Sequence, residues 1–308
     1  EGVRYRNPTW LNDGKRLVMV SDDAGVESLE LYCAITGQLL DEPKKPLNIG
    51  RVRCIMANPK KDIVALTNHR NEYIIVDIKK WSVHVVDRTA HAAPSGFDWS
   101  PDGEWLCYSA SINRRQKALK LYHLKNKSIT QITDPILRDE SPSFDPEGKY
   151  IYFLSWRHFD PTYDTLHFEL GFNHGCKPYA LCLQKDQRSP FFKSEESFDE
   201  PEDCKKSKDD DKKEKKEKEK PIQIDLEGIR NRIQPFPVSA GEYSQIHGAK
   251  GKIFFISHDL EVAGEETDAP KANDAGEGEH QSNDRVFAPA RITEQFAIRA
   301  GAVFRFVG

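Results

Sequence analysis

The chain is poor in cysteine. Six Cys in 308 residues are too few for a disulfide scaffold. None pairs as C-x-x-C, and none joins histidines at zinc-ligand spacing. Cys33, Cys54 and Cys107 sit in apolar, strand-like runs, where a free thiol behaves as a small hydrophobe. They are expected as buried, inert thiols in a reducing cytosol. Long apolar runs are also missing. No stretch approaches the roughly 18 uninterrupted apolar residues of a membrane span. An excess of one charge is missing too: 45 Lys and Arg face 49 Asp and Glu, a net charge of −4. That near balance argues against a nucleic-acid binder. The first residue is Glu1 and no apolar leader with a cleavage site follows, so the sequence reads as a cut inside a longer chain, without a signal peptide. No G-x-S-x-G elbow occurs. Ser257, His258 and Asp259 are neighbours, but successive strand side chains point to opposite faces, so adjacency does not make a triad. No cofactor or metal signature is present. Asp102 and Asp145 lack the alternating oxygen ligands of a calcium loop and read as turn caps.

What is present is a repeat. Pro8-Thr9-Trp10-Leu11-Asn12-Asp13-Gly14 precedes the apolar run Leu17–Val20. Phe97-Asp98-Trp99-Ser100-Pro101-Asp102-Gly103 precedes Trp105–Tyr108, and Pro142-Ser143-Phe144-Asp145-Pro146-Glu147-Gly148 precedes Tyr150–Leu154. Degenerate copies begin at Ala57 and Ala249. Gly103 and Gly148 are 45 residues apart, and Gly14 and Gly103 are 89, two periods. Each Asp-Gly or Glu-Gly makes a tight turn, because Gly accepts positive φ. The aromatic before it and the apolar run after it form a hairpin. A third strand follows, as in Leu29–Tyr32, Tyr73–Val76 and Leu119–Tyr122. A fourth comes after a polar turn. Four short antiparallel strands per roughly 45 residues is the mark of an all-β β-propeller blade. A β-sandwich would lack the repeated aromatic–turn motif. Trp10, Trp99 and Phe144 are expected in the core between blades.

Two segments break the repeat. Residues 205–220 read KKSKDDDKKEKKEKEK, without an apolar side chain, a solvated insert. Residues 261–285 are acidic and rich in Ala, Gly, Asn and Thr, a linker composition. The organisation expected is therefore blades over 1–185, a charged insert over 186–220, further blade strands over 221–257, an acidic linker over 258–285 and an unassigned terminus over 286–308. Setting both inserts aside leaves 245 residues, or five to six blades of about 45.

One passage is more specific than a generic blade. Phe153-Leu154-Ser155-Trp156-Arg157-His158-Phe159-Asp160-Pro161-Thr162-Tyr163-Asp164, continuing to Phe172, resembles the LS-x-R-x-FDP-x-YD segment of tricorn-type peptidases. Ile224-Asp225-Leu226-Glu227-Gly228-Ile229, then Phe236-Pro237-Val238 and Gly241-Glu242-Tyr243, is similar to a second passage of that family. The resemblance covers roughly residues 1–257. It implies most of the second, seven-bladed propeller of a cytoplasmic, homo-hexameric serine peptidase that degrades oligopeptides. In that family this propeller is non-catalytic and guides peptides to an active site elsewhere. The chain would then hold an incomplete propeller with open strand edges, and no catalytic residue is carried over. Arg157, His158, Asp160 and Asp164 are the candidate contacts to peptide or to another subunit, since loops carry function more often than cores do. The competing assignment is an internal network around Arg157. The alternatives at the level of the whole chain are a free-standing TolB- or WD40-like interaction propeller, or the propeller of a prolyl-oligopeptidase-type enzyme. Neither nucleic acid nor membrane is an expected partner.

Overall fold

The computed structural model describes residues 2–23, 25–158, 161–164, 169–171, 175–191, 221–258, 294–299 and 302–306. Most of the charged insert and all but the first residue of the acidic linker lie outside these residues. The described strands form five four-stranded antiparallel sheets and one two-stranded ribbon. The first sheet holds β1 (Tyr5–Trp10), β2 (Arg16–Ser21), β3 (Ser28–Cys33) and β4 (Leu39–Asp41). The second holds β5 (Val52–Ala57), β6 (Ile63–Asn68), β7 (Glu72–Asp77) and β8 (Ser82–Arg88). The third holds β9 (Phe97–Trp99), β10 (Trp105–Ser111), β11 (Lys117–His123) and β12 (Ser128–Gln131). In the fourth, β13 (Asp139–Phe144) and β14 (Tyr150–Ser155) are followed by the ribbon, β15 (Thr162–Asp164) and β16 (Glu169–Gly171), before β17 (Lys177–Cys182) and β18 (Ile233–Pro235) complete the sheet. The fifth holds β19 (Glu242–Ala249), β20 (Lys252–His258), β21 (Glu294–Arg299) and β22 (Ala302–Phe306). Each sheet is a sequential meander, which makes it a propeller blade.

The hairpin turns repeat atom for atom. Leu11, Asn58, Ser100 and Asp145 each donate a backbone N–H to the carbonyl five residues on, at 2.9 Å. In three of these turns a glycine N–H closes back onto the carbonyl three residues earlier: Gly14, Gly103 and Gly148. All three have φ between +62° and +70°, a region that favours glycine. The Asp-Gly and Glu-Gly signals therefore act through backbone geometry.

Period-two alternation then divides each blade between two interfaces. Val18, Val20, Leu29 and Leu31 meet Val64, Leu66, Ile74 and Val76 between the first and second sheets. The intervening residues of the second sheet, Ala65, Tyr73 and Ile75, meet Leu106, Tyr108 and Ala110 of the third. Cys107, Leu119 and Leu121 pack on Ile151, Phe153, Tyr179 and Leu181 of the fourth. Tyr152, Leu154 and Ala180 pack on Ile246, Ile253 and Phe255 of the fifth. Each fully buried large side chain contributes about 1.5–3 kcal/mol, so the interfaces hold the blades together.

Two expectations about the core need correction. Trp99 and Phe144 are each 4% exposed, but Trp10 is 57% exposed. Trp10 pairs with Leu17, on the face of the first sheet turned away from the second, and no described sheet covers that face. Cys107, Cys176 and Cys182 are buried, whereas Cys54 is exposed and Cys33 half-buried. For Cys54 the cause is a β-bulge between Val52 and Cys54, which breaks the alternation that would have sent it inward.

Candidate functional site

Arg157 follows β14, and its guanidinium lies inside the fold. Its Nη2 donates to both Asp139 carboxylate oxygens, at 3.0 and 2.8 Å. Its Nε donates to Ser155 Oγ at 2.8 Å, and that hydroxyl donates to Asp139 Oδ1 at 2.6 Å. The guanidinium also stands over the Tyr179 ring, 5.1 Å from its centroid. Asp139 is 2% exposed. A buried carboxylate needs such partners, because desolvating it unpaired costs several kcal/mol. The network ties the start of β13 to the end of β14. His158 is exposed. Asp160 lies outside the described residues. The backbone of Asp164 pairs with Glu169 in the ribbon. The structure thus joins Arg157 to Asp139 and Ser155, and the contact expectation for Asp160 and for the Asp164 side chain lies outside the described residues.

A second region comes from the first strands of the blades. β1 lies against β5, β9 against β13 and β13 against β19, so these strands surround the propeller axis. Four of them carry a register shift, in β1, β5, β13 and β19. At three of the shifts a non-glycine residue has positive φ: Asn7 at 50°, Ser141 at 52° and Gln245 at 54°. Bulges re-aim side chains and recur beside functional sites.

Asp98 of β9 illustrates the axial environment. Its Oδ2 accepts the Phe144 N–H at 2.7 Å and its Oδ1 accepts its neighbour Trp99's N–H at 2.9 Å. Burial pushes its carboxyl up to about 6, and these two backbone donors limit the rise. The field of His247, an exposed residue of β19, also pulls it down. β9 and β19 are separated by β13, so this field acts between blades that are not neighbours. Ser143 Oγ accepts the Gly248 N–H at 3.1 Å and links the fourth and fifth blades. Sequence reading missed Asp98, although a signal was present. A carboxylate between two core aromatics, Phe97 and Trp99, must by alternation face away from them.

Ser244 Oγ and His258 Nε2 lie 2.6 Å apart. Among the described residues no carboxylate bonds to the other ring nitrogen of His258. A Ser–His contact without that third group is not an organised nucleophile. No group of three or more potential metal ligands gathers among the described residues. No helix of the described residues is long and apolar enough to cross a membrane.

Comparisons with known proteins agree with this architecture. The family model of the tricorn protease second beta propeller domain matches residues 1–285. Tricorn protease homolog 1 of Streptomyces coelicolor is 35% identical over 266 residues, 84% of this chain and 24% of that protein. The tricorn protease homolog of Saccharolobus solfataricus is 32% identical over 263 residues, 84% of this chain and 22% of that protein. The chain therefore spans under a quarter of the length of these relatives. The crystal structure of the tricorn protease superposes with a TM-score of 0.70 at 18% identity, covering 99% of this chain and 27% of that one. A TolB structure from Agrobacterium tumefaciens gives 0.51 at 14% identity, over 98% and 80% of the two chains, a likeness of fold alone. The chain belongs to the tricorn protease family and matches the second β-propeller domain of that family.

Proposed function

We propose that this chain is the non-catalytic propeller of a tricorn-like serine peptidase and guides oligopeptides toward an active site outside these residues. The observation that carries the reading is the row of first strands packed one against the next, four of them bulged. The family match supplies the context of peptide hydrolysis. Assembly into a cytoplasmic homo-hexamer belongs to the same reading. So does a contact role for the loop after β14, with His158 as its exposed side chain and Asp160 and Asp164 beyond it. Arg157 would shape that loop from inside, because Asp139 already holds its guanidinium.

Full-length protein carrying His247→Trp tests the guiding role. Added bulk on the axial face should slow hydrolysis of long peptides several-fold more than that of a dipeptide-sized chromogenic substrate. Equal slowing of both would overturn guidance. The 308-residue chain alone should turn over neither substrate. Cleavage sensitive to a serine-directed inhibitor would place the chemistry inside it.

A further inference from the structure

The strongest uncommitted feature is a basic cavity at the end of the axis where the first strands begin. It has a volume of about 370 Å³ and is lined by Arg6, Arg51, Val52, Arg53 and His69. Among the described residues, no carboxylate or hydrogen-bond acceptor engages the exposed guanidinium of Arg51 or of Arg53. Arg6 is partly committed: its Nη2 bonds to Glu27 and to the Val52 carbonyl. Among the described residues its Nε and Nη1 make no such bond. Glu27 in turn accepts the Val52 N–H at 2.6 Å, so this acid is already used. The lining holds three guanidinium groups and no carboxylate, which makes the cavity electropositive.

The backbone holds this arrangement in place. The bulge in β5 turns Arg53 and Cys54 outward together. Asn7, in the bulge of β1, donates its Nδ2 to the Arg53 carbonyl at 3.2 Å. The Arg51 N–H donates to His69 Nδ1 at 2.9 Å, and the His69 N–H returns a bond to the Arg51 carbonyl. With Nδ1 accepting, the neutral ring carries its proton on Nε2, a further donor. Gly50 lets the ring approach, since a Cβ there would stand 2.9 Å from His69 Cε1.

Planar, permanently charged guanidinium forks match oxyanions in two-point hydrogen bonds. We propose that Arg51, Arg53 and His69, backed by Arg6, form an oxyanion-binding site for a carboxylate or a phosphate group. The site does not depend on the guiding role proposed above.

Calorimetric titration of the full-length protein with N-acetylalanine, its amide and inorganic phosphate tests the assignment. None of these probes contains a bond that a peptidase acting between residues would cleave. Binding of N-acetylalanine but not its amide identifies a carboxylate site, and binding of phosphate alone identifies a phosphate site. Either affinity should fall at least tenfold in Arg51→Gln/Arg53→Gln and stay unchanged in Arg115→Gln, an exposed residue elsewhere. In the unmodified protein, the bound anion should also shift the His69 ring resonance. The proposal is overturned if neither anion binds, if the double variant binds as well as the parent, or if His69 does not respond.

Discussion

Asn58 of the second blade donates its side-chain amide to the Gly103 carbonyl of the third, at 2.9 Å and 45 residues away. Its Oδ1 accepts the Lys60 and Lys61 N–H groups, both at 2.9 Å. One fully buried side chain therefore closes its own turn and clamps the next. A Cβ at Gly103 would stand 2.4 Å from that Oδ1, whereas a Cβ at Gly14 would meet nothing within 4 Å. Both glycines have positive φ. Gly14→Ala should cost about 1 kcal/mol, the backbone penalty alone. Gly103→Ala should cost about 2–4 kcal/mol, since displacing Asn58 strands buried polar groups. Denaturant unfolding of the two variants measures the difference, and equal costs would rule out the clamp.

The Arg157–Asp139 pair gives a second test. Arg157→Ala would leave a buried carboxylate with Ser155 as its remaining side-chain partner. A loss of about 3–5 kcal/mol is expected. Arg157→Lys should recover only part of it, because an ammonium cannot serve both Asp139 and Ser155 in the same fork. A role confined to peptide contact would instead weaken peptide binding and leave the unfolding midpoint in place.

Asp98 predicts a pH dependence. Its carboxyl titrates near 6 in the folded chain, against 3.8 for the ordinary group. The folded state therefore holds a proton between those values that the unfolded state has released. Stability should fall as pH rises from about 4 to 6, by up to about 3 kcal/mol from this group. Asp98→Asn removes the titration, so its stability profile should be flatter than the parent's across that window. Matching slopes for the two proteins would show that Asp98 does not cause the dependence.

Two tryptophans at the same repeat position should behave differently. Trp99 is buried and its indole donates to the Met56 carbonyl at 3.3 Å. Trp99→Ala should cost about 3–5 kcal/mol. Trp10 is largely exposed, so Trp10→Ser in the 308-residue chain should change stability by under about 1 kcal/mol. Thermal unfolding of both variants separates the cases. A large loss at Trp10 would mean that its open face is covered in solution.

The blades were legible because their cause is local. A tight turn needs glycine at positive φ, and a strand between two neighbours needs apolar residues on both faces. Both requirements are written in consecutive residues, as in Trp99–Tyr108 and Phe144–Leu154. The same holds for the strand meander and for the membership of Trp99 and Phe144 in the core.

The candidate sites were less legible, because pairing across distant segments decides them. Arg157 and Asp139 are 18 residues apart, and only the closed sheet shows that one consumes the other. The outward turn of Arg53 and Cys54 depends on a bulge that alternation alone does not announce. The exposure of Trp10 depends on which sheet covers its face. Sequence by itself determined the repeating blade and its turns, since those follow from backbone sterics and period-two burial. Only the tertiary structure decided which charges are neutralised inside and which stay exposed, because that depends on how the blades are set side by side.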